Sequence, residues 1–163
     1  MGQRIGLGYD VHPFAGGRPL VLGGVRIESA KGLAGHSDAD AVCHAVADAL
    51  LGALALGDLG QHFPDTDPLW HGAHSVAILR EVVRLVGEQG AHIVNADVTV
   101  ITQEPRVAPY VETMRDHLSE ALKVARTRVS VKAKHPEGLG ALGAGKGLAA
   151  VAAVLVDVAE EDS

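Results

Sequence analysis

Aromatic side chains are nearly missing from this 163-residue chain: two Phe, two Tyr and one Trp make up 3% of it. With 47% apolar residues and 20 glycines, the core must be aliphatic and closely packed. The glycines mark turns and places where backbone approaches something small. Cysteine occurs once, at Cys43. That excludes an internal disulfide framework and fits a reducing cytoplasm; a small buried helix residue is its plain reading. Cations are outnumbered, 14 Lys and Arg against 20 Asp and Glu, for a formal charge of −6. A general nucleic-acid binder needs a basic face, so that class is excluded. A phosphorylated ligand is not, because metal ions and backbone amides can supply a positive field locally. Long hydrophobic runs are also lacking. The longest, Leu148 to Val156, is far too short for a bilayer, and no basic-then-apolar leader follows Met1. A soluble cytoplasmic protein, with no membrane partner, is the expectation.

What is present reads as one α+β domain over residues 1–163. Arg4 to His12 is strand-like, and Pro19 to Leu22, Gly23-Gly24 and Val25 to Ile27 form a hairpin signature. Ser37 with Asp40 resembles a capping box, followed by a helical stripe of Val42, Val46, Ala49, Leu50 and Ala53 that Gly57 closes. Asp58 to Gly72 is a long polar loop of the kind that carries function. Further helices are expected at Ser75–Glu88 and Tyr110–Lys123, and strands at His92–Gln103, Val129–Ala133 and Leu148–Val158. Together they predict a mixed or antiparallel sheet of four to five strands with helices packed on one face. The last strand, nearly continuous Ala, Val and Leu, reads as covered on both faces, one cover being another subunit. Glu160 to Ser163 reads as a solvated tail.

Asp10-Val11-His12 carries the chemistry. Residues two apart on a strand point the same way, so this carboxylate and imidazole share a face. A second imidazole, His44 from the following helix, would complete a zinc-type donor set with one open position, as catalytic sites have. An isolated Asp-x-His is more often a hydrogen-bonded surface pair, so the surroundings decide. His36, Asp40 and His44 recur at steps of four, which is one helix face, although His36 precedes the cap. Amides after Ser37 at the positive helix end offer an anion site. A solvated polar stripe is the competing account. Asp40 could orient His44 or His36, whereas Asp38 reads simply as favouring the helix start.

Gly8-Tyr9-Asp10-Val11-His12, His36-Ser37-Asp38-Ala39-Asp40 with His44, Gly57-Asp58-Leu59-Gly60, Phe63-Pro64-Asp65-Thr66-Asp67-Pro68 and Gln103-Glu104-Pro105-Arg106 are similar to the signatures of the 2-C-methyl-D-erythritol 2,4-cyclodiphosphate synthase family. The resemblance runs from about Arg4 to Val158. It implies a homotrimeric lyase of the non-mevalonate isoprenoid pathway, with active sites between subunits. The implied substrate is 4-diphosphocytidyl-2-C-methyl-D-erythritol 2-phosphate, converted to the cyclic diphosphate and CMP. The resemblance implies that Asp10, His12 and His44 hold zinc or a similar divalent transition metal. Glu137 then holds a second divalent ion, magnesium or manganese. His36 and Ser37 contact phosphates and orient the reacting group. Asp58, Leu59, Gly60 and the loop Phe63, Pro64, Asp65, Thr66, Asp67 hold the methylerythritol part, with Asp65 accepting a hydroxyl. The cytidine side is made largely by backbone from Thr102 through Pro105, Arg106 and Val107 to Ala108.

One stretch departs from that pattern. The family carries a Thr-Thr pair before its glutamate and then a Gly-Phe-x-Gly-Arg run; here Ala133 to Ala144 puts His135 at the second threonine, and Ala141 and Ala144 at the aromatic and arginine. Those roles are not transferred to the alanines. Lys134 or His135 could donate to a phosphate oxygen, which makes His135 a catalytic candidate beside His36 and Glu137. Two other functions fit the same residues: a zinc-dependent phosphohydrolase of a nucleotide diphosphate ester, and a non-catalytic trimer that binds CDP or isoprenoid ligands.

Overall fold

A computed structural model describes residues 2–159, so the acidic tail Glu160 to Ser163 lies outside the described residues. Strand β1 (Gly2–Ala15) opens the chain, followed by the hairpin β2 (Leu20–Leu22) and β3 (Val25–Ile27) and a two-residue strand β4 (Gly32–Leu33). Then come α1 (Ala41–Ala53), the short α2 (Leu59–His62), α3 (Ser75–Glu88), β5 (Ala91–Ile101), α4 (Val111–Leu122), β6 (Val129–Lys134), the short α5 (Gly140–Gly143) and β7 (Gly147–Val158). The main sheet has five strands in the order β4-β1-β7-β5-β6, and β2-β3 is a separate ribbon. Every strand and long helix expected from periodicity is present, with β4 as an addition too short to leave a pattern.

Local chemistry explains the elements. Gly23 (φ 58°) and Gly24 (φ 73°) both take positive φ, the geometry of a tight hairpin turn between twisted strands. Asp40 caps α1, accepting from the Cys43 N–H. Its two carboxylate oxygens also accept from the Gly23 (2.8 Å) and Gly24 (2.7 Å) amides. Burial pushes this carboxyl upward in pKa, against the pull of three amide donors. α3 buries Leu79, Val82, Val83 and Val86, and α4 buries Met114, Leu118, Ala121 and Leu122, each along one stripe.

β7 runs antiparallel to both β1 and β5, while β5 and β6 are parallel. The C-terminal ends of β1, β5 and β6 therefore meet at one end of the sheet. Register aligns His12 with Leu148 and Ile101 with Ala149, so β1 and β5 sit on either side of β7, roughly 10 Å apart.

The sheet has one helix-covered face and one open face. β1 shows the contrast most sharply: Gly6 and Gly8 are buried, whereas Ile5 (78% exposed), Leu7 (73%), Tyr9 and Val11 project outward. Their cross-strand partners Leu155, Ala153 and Val151 extend this apolar surface along β7. β7 is thus fully covered on the helix side and only partly shielded on the other within one chain.

Candidate metal centre and its cleft

Asp10 and His12 follow Gly6 and Gly8 on the helix-covered face of β1. The glycines are what bring α1 close. A Cβ at Gly8 would stand 1.8 Å from the Ala45 carbonyl oxygen, and one at Gly6 would stand 1.7 Å from that of Ala49. Helix backbone therefore rests directly on strand backbone, and His44, beside Ala45, arrives next to Asp10. His44 Nδ1 is 3.1 Å and His12 Nε2 is 2.7 Å from the same oxygen, Asp10 Oδ2. One ligand atom from each of the three residues lies within 4.8 Å of the other two.

The protonation pattern at His12 tests whether a cation belongs there. Its Nδ1 is 2.8 Å from the Ala34 carbonyl oxygen, which can only accept, so Nδ1 carries the proton. In the neutral ring Nε2 is then a lone pair, and only in the imidazolium does it donate to Asp10. It is buried without a hydrogen-bond partner, although a carboxylate oxygen stands opposite it. Two lone pairs pressed together are held by a proton or by a metal ion. The hydrogen-bonding Asp10 carboxylate raises the His12 pKa despite burial. Burial alone would raise Asp10, but hydrogen bonds and charge from His12 and His44 bring its pKa down. An oxygen and two imidazole nitrogens, with the far ring nitrogen of His12 tied to a carbonyl, fit a zinc-type ion with a free position.

That free side opens on a cleft of about 250 Å³. His36 and Ser37 line it from the loop before α1, Leu59 and Gly60 line it from α2, and Phe63, Pro64, Asp65 and Asp67 from the segment that follows. His36 Nε2 is 3.5 Å from Asp65 Oδ2, with both side chains largely exposed. Phe63 packs edge-on against Trp70, ring centroids 4.8 Å apart, which stiffens that wall. Asp58 caps α2 through the Gln61 N–H (3.0 Å), and the side chains of both Asp58 and Thr66 are exposed. The polar segment from Asp58 to Gly72 is more ordered than a loop: besides α2 it holds a turn of 3₁₀ helix at Pro68–Trp70 capped by Asp67.

A second, smaller cavity of about 140 Å³ lies at the same end of the sheet, beyond β7. Thr102, Pro105, Arg106, Val107, Ala108, Lys134 and His135 line it, sharing no residue with the first. Gln103 braces its rim: Nε2 donates to His135 Nε2 (2.9 Å) and Oε1 accepts from the Gly138 N–H (3.0 Å). Glu137 stands outside with its side chain 82% exposed and 3.9 Å from His135 Nδ1. Among the described residues no second group of three ligand-type side chains surrounds it.

Residues 3–157 match the model of the YgbB family. The chain belongs to that family. A relative from Laribacter hongkongensis, named 2-C-methyl-D-erythritol 2,4-cyclodiphosphate synthase, is 61% identical over 96% of each chain. One of the same name from Symbiobacterium thermophilum is 53% identical over 93% of this chain and 97% of that one. Among solved structures, a synthase of this name in a CDP-bound form superimposes with a TM-score of 0.88 at 42% identity, covering 94% of this chain and all of the other. A CDP complex from Plasmodium falciparum gives 0.85 at 32% identity, covering 98% of both.

Several expectations about the His36-Ser37-Asp38-Ala39-Asp40 segment are corrected. Ser37 does not cap α1; Asp40 does, so His36 and Ser37 belong to a loop and share no helix face with His44. The amides expected to be free after Ser37 are partly taken, Ala39 N–H by Ser37 Oγ (3.2 Å) and Asp40 N–H by Asp38 Oδ1 (3.1 Å). Asp40 is wholly buried against the hairpin turn and cannot orient either histidine, while Asp38 reaches the start of α3 and accepts the Ser75 N–H (3.1 Å). The reason is Ala39, whose positive φ of 55° turns the chain between the two aspartates.

Sequence reasoning missed Arg18, Asp48, Ser75, Trp70 and His71. Arg18 grips the carbonyls of Gly35 (2.6 Å) and Ser37 (2.5 Å), holding the His36 loop from outside. Asp48, Trp70 and His71 line the cleft. Asp48 could have been found, since it lies one turn after His44 on α1; its carboxylate accepts the Leu59 N–H (2.8 Å) and ties α1 to α2.

Proposed function

We propose that this chain converts 4-diphosphocytidyl-2-C-methyl-D-erythritol 2-phosphate into 2-C-methyl-D-erythritol 2,4-cyclodiphosphate and CMP, a step of non-mevalonate isoprenoid precursor synthesis. The observation that carries it is the meeting of Asp10, His12 and His44, with a bare buried nitrogen among them, beside a cleft walled by family motifs. The high identity to relatives named for this synthase supports the same reading. Residues 1–163 form one domain on this reading.

An oxygen of the substrate's 2-phosphate attacks the β-phosphorus of its own diphosphate. A P–O bond forms there as the bond to the CMP oxygen breaks, and no protein nucleophile is needed. Two divalent ions, zinc on Asp10, His12 and His44 and magnesium or manganese on Glu137, would supply Lewis acidity and neutralise phosphoryl charge. His36 and Ser37, on the loop that Arg18 holds, contact the phosphates at the cleft mouth. Asp65 accepts a methylerythritol hydroxyl, with Leu59, Gly60, Phe63, Pro64 and Asp67 shaping the rest of that pocket. Asp58 and Thr66, exposed on the same segment, hold the methylerythritol part together with them. The edge from Thr102 to Ala108, with Lys134 and His135, takes the cytidine and diphosphate end. Folding two anions of one substrate onto each other is the main barrier, and holding both ends in place lowers it by roughly 7–11 kcal/mol.

A homotrimer with sites between subunits completes this reading. Its support is the open apolar face of β1 and β7, and the separation of the two cavities within one chain. A cytoplasmic location fits the single, buried cysteine, and no helix among the described residues is long and apolar enough to cross a membrane. Phosphorus NMR of the protein with authentic substrate, zinc and magnesium tests the proposal. Cyclic diphosphate and CMP should accumulate. Product carrying oxygen-18 from labelled water would make the protein a phosphohydrolase, and retention of CDP without CMP release from substrate would make it a binder.

A further inference from the structure

His44 Nδ1, not Nε2, faces Asp10, and the rest of the ring is held by groups from two other segments. Nε2 is 2.9 Å from Ser75 Oγ, which contacts Asp38 Oδ1 in a very short hydrogen bond. Ser75 is the first residue of α3 and is fully buried. Its N–H donates to the other oxygen of the same carboxylate, Asp38 Oδ2, at 3.1 Å. Asp38 is thereby clamped twice on one residue, and the Asp40 N–H adds a third bond at 3.1 Å.

The direction of each proton follows from what each atom can do. An ionised carboxylate only accepts, so the single hydroxyl proton of Ser75 points to Asp38. Ser75 Oγ then has only lone pairs left for His44, so Nε2 must be the protonated nitrogen and donates to it. The remaining nitrogen, Nδ1, is left as a lone pair aimed at the centre formed with Asp10 and His12. The chain Asp38–Ser75–His44 thus does for Nδ1 what the Ala34 carbonyl does for Nε2 of His12. Ser37 Oγ, 3.3 Å from Ser75 Oγ, closes the group beside the phosphate loop.

We propose that Ser75 and Asp38 are positioning residues that fix the His44 tautomer and so set the metal affinity of the Asp10, His12, His44 centre. This rests on the metal reading given above, and adds two residues that touch neither ion nor substrate. Neither lies on the strand or helix that carries the ligands. The consequence is that the loop before α1 and the start of α3 are coupled to metal retention through one proton.

Nitrogen-15 NMR of the histidine rings in the intact protein tests the tautomer without any substitution. His44 Nε2 should carry a proton in both the metal-free and the zinc-loaded state; a bare Nε2 in either overturns the proposal. Zinc affinity by chelator competition then tests the function. Ser75→Ala and Asp38→Asn should each weaken zinc by about 10–100-fold, with unchanged far-ultraviolet circular dichroism. The double variant should be no weaker than the worse single one, because both act through the same hydrogen bond. Variants that bind zinc within twofold of the parent, or that lose affinity additively, overturn it. A parent protein that binds no zinc removes the metal reading and the proposal together. A parent that binds zinc as tightly as Ser75→Ala removes only the proposal.

Discussion

The two cavities at the end of the sheet differ in how completely one chain builds them. Around Asp10, His12 and His44 the contacts are internal: the Ala34 carbonyl backs one imidazole, Ser75 backs the other, and α1 is pinned by backbone-to-backbone contact at Gly6 and Gly8. Around Arg106, Ala108, Lys134, His135 and Glu137 the groups are exposed, and among the described residues Glu137 joins no group of three ligand-type side chains. A prebuilt metal centre needs rigid support because its ligands must stay within a narrow geometry before the ion arrives. An edge that closes on a long, flexible substrate can stay open in one subunit and be finished by another.

Breaking the prebuilt side has the largest effect. His44→Ala removes one of three ligands, so turnover and bound zinc are both lost while circular dichroism and assembly size stay unchanged; metal analysis and a CMP-release assay read this. Leu7→Glu attacks the other side of the comparison. A charge on the open β1 face gives monomers by light scattering and background turnover, yet zinc remains bound, because the metal centre lies within one chain. Gly8→Ala tests the helix contact. The methyl forces α1 away from β1 at a cost of about 1–3 kcal/mol in stability. Displacing His44 by a fraction of a helix diameter then lowers kcat on the order of 100-fold, with a matching loss of zinc affinity. The mildest change is Glu137→Gln, which leaves zinc content intact and lowers kcat by about tenfold, partly restored by raised magnesium. Equal zinc loss in Glu137→Gln and His44→Ala would merge the two sites and end the distinction.

Much of this was legible in the residues. Alternation on β1 placed Asp10 and His12 on one face, and the Gly-Gly turn and the α3 and α4 stripes announced their elements because each depends on neighbours within a few positions. That alternation did not say which face of β1 is the inner one. Its apolar residues face outward and its glycines inward, since the inner face meets helix backbone rather than side chains. The two aspartates after Ser37 exchanged their expected roles. Spacing alone treats Asp38 and Asp40 as near equivalents, and only the left-handed turn at Ala39 sends one to the hairpin amides and the other to Ser75.

Local periodicity and the motif set determined the strands, the long helices, the ligand types and the family to which they belong, because those are written in short-range order. The tertiary structure alone decided how closely α1 lies on β1, which nitrogen of each histidine faces Asp10, and that Ser75 stands behind His44. Those are contacts between segments far apart in the chain, and a hydrogen bond of that kind leaves no mark on the residues beside it.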